Sequence, residues 1–337
     1  MDALSDVLRI VSLTGSVFLD AEFSAPWCIA VHIGPHDCRP FMPEPTQIIP
    51  YHYVVQGELM AQVGDAAPVM LKEGEIVLFP RNDGHCLGSA IEPNPVRAGK
   101  LIERPHDGGL ARIVHGGGGR QTRIACGFLG GDGQASPLLQ TLPRMMCLNV
   151  GGTPGGDWIM QTFKAATHDI ARSAPGATTV LSKMAELLFV EAVRRYVATL
   201  PEEQTGWLAG LRDPVVGRAL ALLHGQLSRA WTAEELARAV GLSRSAFADR
   251  FTGLIGQPPM HYLASWRMQV AAHRLRDARA AVAQIAYDVG YESEAAFTRA
   301  FKRHFGVPPA SWRDQAKGRT GMPESSAQAV STTMAKE

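Results

Sequence analysis

The sequence predicts an α+β chain of two unlike domains, a β-barrel half followed by an all-α half with two helix-turn-helix units. Three observations carry that prediction. Up to about residue 150, short β-branched or apolar runs such as YHYVVQGEL (51–59), EIVLFP (75–80) and RIACGFL (123–129) alternate with Gly, Pro, Asn and Asp, the pattern of successive strands. Farther on, FADRFTGLIGQPPMHY (247–262) is echoed by FTRAFKRHFGVPPASW (297–312), with the same spacing of two phenylalanines, a glycine, a Pro-Pro pair and a closing aromatic. Charge also divides the chain: Asp213 to Lys317 holds fourteen Lys/Arg against nine Asp/Glu, about +5, so the remainder carries about −4 and all five cysteines.

With 337 residues, 46% of them hydrophobic and 19% charged, the chain has material for two cores. No apolar run reaches the roughly 20 residues of a membrane span, and MDALSDVLRI lacks the features of a signal peptide, so a cytoplasmic protein with no membrane partner is expected. Cys28, Cys38, Cys86, Cys126 and Cys147 are odd in number and form no CxxC, which argues against a disulfide framework or a structural zinc site.

In chain order, residues 1–175 form the barrel. GGGGR (116–120) reads as a hairpin loop, because the Lys-Ser/Thr ending and following helix of a phosphate-binding loop are missing, and GGTPGG (151–156) reads as another loop. SKMAELLFVEAVRRYVATL (182–200) places Met184, Leu187, Leu188, Glu191, Ala192, Tyr196 and Leu200 at helical spacing, suited to a core helix or to a homodimer contact. Together with the linker PEEQTG it makes a connector over 176–206. The all-α domain occupies 207–316, and a Ser-, Thr- and Ala-rich tail, 317–337, is expected to be disordered.

Within the all-α half, ELARAVG (235–241) matches QIAYDVG (284–290), so each repeat is a short helix, a turn and a second helix. Thr232 with Glu235 forms a capping box, Ser243 and Ser293 cap the second helices, and Gly241, Gly256 and Gly306 end helices. Phe247 with Phe251, and Phe297 with Phe301, stand four apart and share a face. Pro259 opens the long helix that joins the repeats.

Over residues 213–314 these motifs resemble the DNA-binding domain of the AraC/XylS family of bacterial transcription regulators, whose core is present here as IAYDVGYESEAAFTRAFKRHFGVPP. The resemblance implies two second helices reading adjacent major-groove segments of double-stranded DNA. It places Arg244, Ser245, Ala248 and Asp249 on the first reader and Glu294, Ala295, Thr298 and Arg299 on the second. Arg299 is the expected base contact, since a guanidinium pairs bidentately with guanine. Arg250, Lys302 and Arg303 are expected on phosphates. RNA polymerase is the protein partner such a role implies.

The first half is similar to the cupin domains, jelly-roll barrels that precede this reader in one branch of the family, through YHYVVQGEL and GEIVLFPRNDGH (74–85). Metal cupins draw two His and a Glu from the first motif and a His from the second. Here His52 and His85 remain, the glutamate position falls on Gln56 or Glu58, and Cys86, Cys126 or water would have to complete a shell. His52 and His85 are therefore expected either to hold a metal ion or to be hydrogen-bonded residues of a small-molecule effector pocket or of a filled core. Cys28 and Cys126 are candidates for oxidant sensing, as relatives in this branch sense oxidants through cysteine pairs. The expected function is a DNA-binding transcription regulator with a sensing barrel and no catalytic residues. A thiol-based oxidant-sensing regulator and a metal-dependent cupin enzyme with an accessory helical domain are the alternatives.

Overall fold

The computed structural model describes residues 2–320 apart from 12, 40–41, 104–109, 132–136, 150–156, 159–160, 163–164, 166–175, 202–203 and 277–279. The loop expected at 151–156 and the tail from 321 onward lie outside the described residues. The chain separates into two compact units, one spanning Val7–Asp213 and the other Pro214 to the C-terminus together with the residues up to Asp6. The boundary thus falls at residue 214, later than the expected 207.

After helix α1 (Ala3–Val11), the described residues of the first unit form eleven strands: β1 (Thr14–Ser24), β2 (Cys28–Val31), β3 (Gln47–Gln56), β4 (Glu58–Val63), β5 (Val69–Lys72), β6 (Glu75–Leu78), β7 (His85–Gly88), β8 (Val96–Arg97), β9 (Ala111–Gly116), β10 (Gln121–Gly131) and β11 (Met146–Asn149). They form a six-stranded sheet in the order β11-β6-β3-β10-β1-β9 and a five-stranded sheet in the order β5-β4-β7-β2-β8. Apolar side chains from both sheets, among them Phe23, Ile29, Leu59, Phe79, Leu87 and Ile124, meet between them.

Within YHYVVQGEL the chain leaves one sheet at Gly57, where φ is +82°, and enters the other. One sequence expectation is corrected by this topology: GGGGR (116–120) does not close a hairpin, because β9 and β10 each bond to β1, which lies between them. Turn residues announce a reversal of direction but not which strands become neighbours.

Helix α2 (Pro137–Thr141) is followed by α3 (Ala177–Thr199), which packs on β1, β10 and β11 and covers the outer face of the six-stranded sheet. Leu181, Met184, Ala185, Leu188, Phe189, Ala192 and Val193 are buried there. The expected separate connector is therefore part of the barrel unit. Close approach is made at Gly15: a Cβ there would lie 2.4 Å from the Ser182 carbonyl oxygen, while the Ser182 hydroxyl donates to the Gly15 carbonyl at 2.6 Å. Burial on both faces explains why β3 reads as a near-continuous apolar run. Short helix α4 (Trp207–Arg212) closes the unit.

The second unit contains α5 (Pro214–Gly225), α6 (Ala233–Ala239), α7 (Arg244–Ile255), α8 (Pro259–Arg274), α9 (Val282–Asp288), α10 (Glu294–Phe305) and α11 (Pro309–Thr320). Helix α11 runs to Thr320, four residues into the stretch expected to be tail. Among the described residues no helix is long and apolar enough to cross a membrane.

Candidate nucleic-acid interface and barrel cavity

The echo between the two halves of the helical unit has a packing cause. In the first copy Phe247 lies 5.6 Å from Phe251, which meets Tyr262 at 5.8 Å; in the second, Phe297 lies 5.5 Å from Phe301, which meets Trp312 at 5.9 Å. The glycines Gly256 and Gly306 end α7 and α10 at φ +80°. Each proline pair then starts the next helix, whose aromatic returns onto the second phenylalanine. Thr232 accepts from the Glu235 amide in a capping box, and Ser243 and Ser293 cap α7 and α10 through the amides of Ala246 and Ala296. The second helix of each unit is thereby fixed in place with one face buried and the other in solvent.

That solvent face carries the residues expected to contact DNA. Arg244, Ser245, Asp249 and Arg250 are exposed on α7, with Ala248 half-buried among them. On α10, Glu294, Ala295, Arg299, Lys302 and Arg303 are exposed and Thr298 is half-buried. The last turn of α10 is basic through Lys302, Arg303 and His304, whereas α7 sets Asp249 beside its arginines. The two readers differ in electrostatic character as their sequences suggested.

Sequence reading missed the residue that joins the readers. Arg267 of α8 donates through Nε to the Leu227 carbonyl at 3.0 Å and through Nη2 to the Arg229 carbonyl at 2.8 Å, both just ahead of the first helix-turn-helix. Its Nη1 donates to the Gly290 carbonyl at 3.3 Å, in the turn of the second. Gly290 sits at φ +86°, where a Cβ would come within 2.6 Å of Arg267 Nη2 and 2.7 Å of the Ser228 carbonyl oxygen, so this position requires glycine. A second tie runs from Arg274 to Asp288 at 2.7 Å. His224 was also missed: it is buried, stacks on Trp266 at 4.1 Å and bonds the Tyr262 hydroxyl at 2.7 Å. One signal was available, an isolated His in the apolar stretch ALALLHG.

In the barrel, His52 from β3 and His85 from β7 come from opposite sheets and meet in the interior with Nε2 atoms 2.8 Å apart. His52 Nδ1 lies 2.9 Å from Cys126 Sγ, and His85 Nδ1 lies 2.9 Å from the Asp83 carbonyl oxygen. Because a carbonyl only accepts, His85 carries its proton on Nδ1 and presents a lone pair at Nε2. His52 then donates from Nε2, and its Nδ1 accepts from the Cys126 thiol. Burial supports this neutral chain. It holds His52 well below the ordinary histidine range, with His85 adding to the effect, and lowers His85 to about 4. The Cys126 thiol is raised, again chiefly by burial. Phe79 stacks on the His85 ring at 3.5 Å.

The residues present do not fit a metal. Two imidazole nitrogens on a tetrahedral zinc ion stand about 3.3 Å apart, whereas these are at hydrogen-bond distance. Cys126 occupies the other nitrogen of His52. Neither glutamate candidate joins them: Gln56 is exposed and Glu58 is paired with Arg120. Among the described residues no three His, Cys, Asp or Glu side chains converge as a ligand set.

The thiols are also separated. Cys126 lies on β10 and Cys28 on β2, in different sheets. The register, Cys28 opposite Gly88 and Ala30 opposite Cys86, makes Cys86 the diagonal neighbour of Cys28, a position about 7–8 Å away and beyond ordinary disulfide reach. Burial, followed by the neighbouring Cys28, pushes the Cys86 thiol up.

Around the histidine pair lies a cavity of about 720 Å³. A barrel with an internal cavity, joined in one chain to a pair of helix-turn-helix units with exposed basic second helices, defines a ligand-responsive DNA-binding regulator. The sequence profile of the Cupin family matches residues 2–198 and that of the Helix-turn-helix domain matches 236–315. An AraC-like transcription regulator of Streptomyces antibioticus is 32% identical over 93% of this chain and 98% of its own. The HTH-type transcriptional regulator AlkR of Acinetobacter baylyi is 27% identical over 94% and 100%. A crystal structure of the DNA-binding domain of AdpA in complex with a target DNA is similar at 28% identity and a TM-score of 0.30, covering 33% of this chain and 99% of that one. The chain belongs to the AraC-like transcription regulators with an N-terminal cupin domain. It is a DNA-binding transcription regulator with a cupin-like ligand-sensing domain.

Proposed function

We propose that a single chain reads two successive major-groove segments, α7 entering one and α10 the next. The observation that carries this is the pair of matched, outward-facing second helices tied through Arg267 within one compact unit. Helix α8 between them has 16 residues, a span of about 24 Å at 1.5 Å per residue, and the readers extend beyond its ends. That length is compatible with readers one DNA turn, about 34 Å, apart. In this reading Arg244, Ser245, Ala248 and Asp249 face one segment and Glu294, Ala295, Thr298 and Arg299 the other. Arg250, Lys302 and Arg303 hold phosphates.

The protein acts in the cytoplasm with RNA polymerase as its partner, and its barrel senses without catalysing. Val180 and Leu187, both exposed and seven residues apart on α3, are the face a homodimer would use.

The test is a selection of DNA fragments by the full chain, repeated with Arg299→Ala. The variant is expected to lose discrimination in one segment only, by about 1–3 kcal/mol at the contacted base pair. Equal relaxation in both segments, or none, would contradict the assignment of α10.

A further inference from the structure

The cavity of the barrel has a chemical character that narrows what enters it. Its deep wall is apolar, formed by Leu19, Phe23, Ile29, Ile124 and Phe128, all buried. The charged side chains of the lining, Asp37 and Arg97, are exposed at the rim together with His32. Histidines do reach the floor, yet all four of their ring nitrogens are engaged in the chain that runs from Cys126 through His52 and His85 to the Asp83 carbonyl. Gln62, farther up the wall, commits one amide N–H to the Ala66 carbonyl at 2.7 Å. The floor therefore offers a visitor neither a vacant strong donor nor a counter-charge.

Those properties exclude several ligand classes. A sugar would bury hydroxyl groups without partners. A carboxylate or ammonium seated on the floor would be stripped of water with nothing to compensate it. An apolar molecule loses nothing by entering and gains the burial of its surface. The volume is that of a site for a drug-sized molecule.

We propose that this cavity is the effector site and that it takes an uncharged, predominantly hydrocarbon small molecule, with its apolar body against Phe23 and Phe128 beside the closed His52–His85 pair. This rests on the reading of the barrel as the sensing domain and adds the class of molecule sensed.

The experiment uses the full chain without DNA and the neutral fluorophore N-phenyl-1-naphthylamine. Saturable binding at one site per chain is expected, with displacement by 1-decanol. At neutral pH, decanoate and decyltrimethylammonium, which share the ten-carbon chain but carry a charge, should displace it about 10-fold less effectively or worse. Ala21→Phe and Ala111→Phe fill the cavity from β1 and β9, and each is expected to weaken binding about 10-fold or more. Ala111 is only half-buried, so this variant decides the matter if Ala21→Phe does not fold. Absence of saturable binding to the wild type, displacement by decanoate as effective as by decanol, or undiminished affinity in folded Ala111→Phe would each overturn the proposal. The same samples are assayed on the selected DNA: fluorophore binding with no specific DNA binding would overturn the reader assignment and leave the ligand class standing.

Discussion

Replacing Arg267 with methionine keeps most of the stem that lies along α8 and removes the guanidinium that holds three backbone carbonyls, two in the loop ahead of the first repeat and one in the turn of the second. Hydrogen bonds from a charged donor are each worth about 1.5–3 kcal/mol. Arg267 is half-buried, so water replaces part of what is lost, and the loss of three such bonds should cost the helical unit roughly 2–4 kcal/mol in all. The larger consequence is for recognition, because the turn at Gly290 is no longer fixed relative to the loop at Leu227 and Arg229. Two assays on the full chain check this: the helical phase of urea unfolding, and affinity for a selected two-segment site against a fragment carrying one segment. The unfolding midpoint should fall, and the advantage of two segments over one should shrink by about 10-fold or more, while single-segment binding changes little. Arg267→Lys should recover only part of the loss, since an ammonium cannot reproduce a planar fork aimed at three acceptors. If Arg267→Met keeps both the wild-type midpoint and the wild-type two-segment advantage, the clamp does not set the geometry of the readers.

Two further outcomes are expected from the barrel. His85 in the fold is held at about 4 by burial, against about 6.5 in the unfolded chain. The unfolded state therefore takes up a proton that the fold refuses. Stability is complete above about pH 6.5 and is lost as pH falls toward 4, on the order of 3 kcal/mol for this group. His52, lowered in the same direction, steepens the acid limb. His85→Gln should flatten that limb in a pH series of urea melts, and an unchanged limb would contradict the neutral chain. Elemental mass spectrometry of the purified protein should find no stoichiometric metal. One equivalent of metal, lost on combining His52→Ala with His85→Ala, would show that the two Nε2 atoms share an ion rather than a proton.

Recognition of the helical half from sequence succeeded because its determinants are local. Thr232 with Glu235, the serine caps, Gly256, Gly306 and the paired phenylalanines act within about one or two helical turns, so their spacing is written along the chain. The barrel was legible as strands but not as a topology. Nothing local tells β3 that its neighbours are β6 and β10 rather than β4. Site chemistry divides the same way. The outward positions on α7 and α10 follow from helix periodicity, whereas the joining of His52 to Cys126 and His85 depends on residues 74 and 33 positions apart in sequence. Arg267 stands 40 residues from Leu227 and 23 from Gly290, and an arginine within a long helix looks like surface until the carbonyls it serves are known.

Two copies in one chain would let a single polypeptide contact two groove segments without a symmetric partner, and chemical footprinting of the full chain on a selected fragment tests that most directly. One chain should protect two segments centred about 10 bp apart on one face of the DNA, with unlike sequences. Inserting one alanine after Ala271, which turns the second reader by about 100° relative to the first, should erase one of the two protected segments and leave salt-sensitive non-specific binding. A single protected segment in the wild type, or an unaltered two-segment footprint after the insertion, would contradict the account.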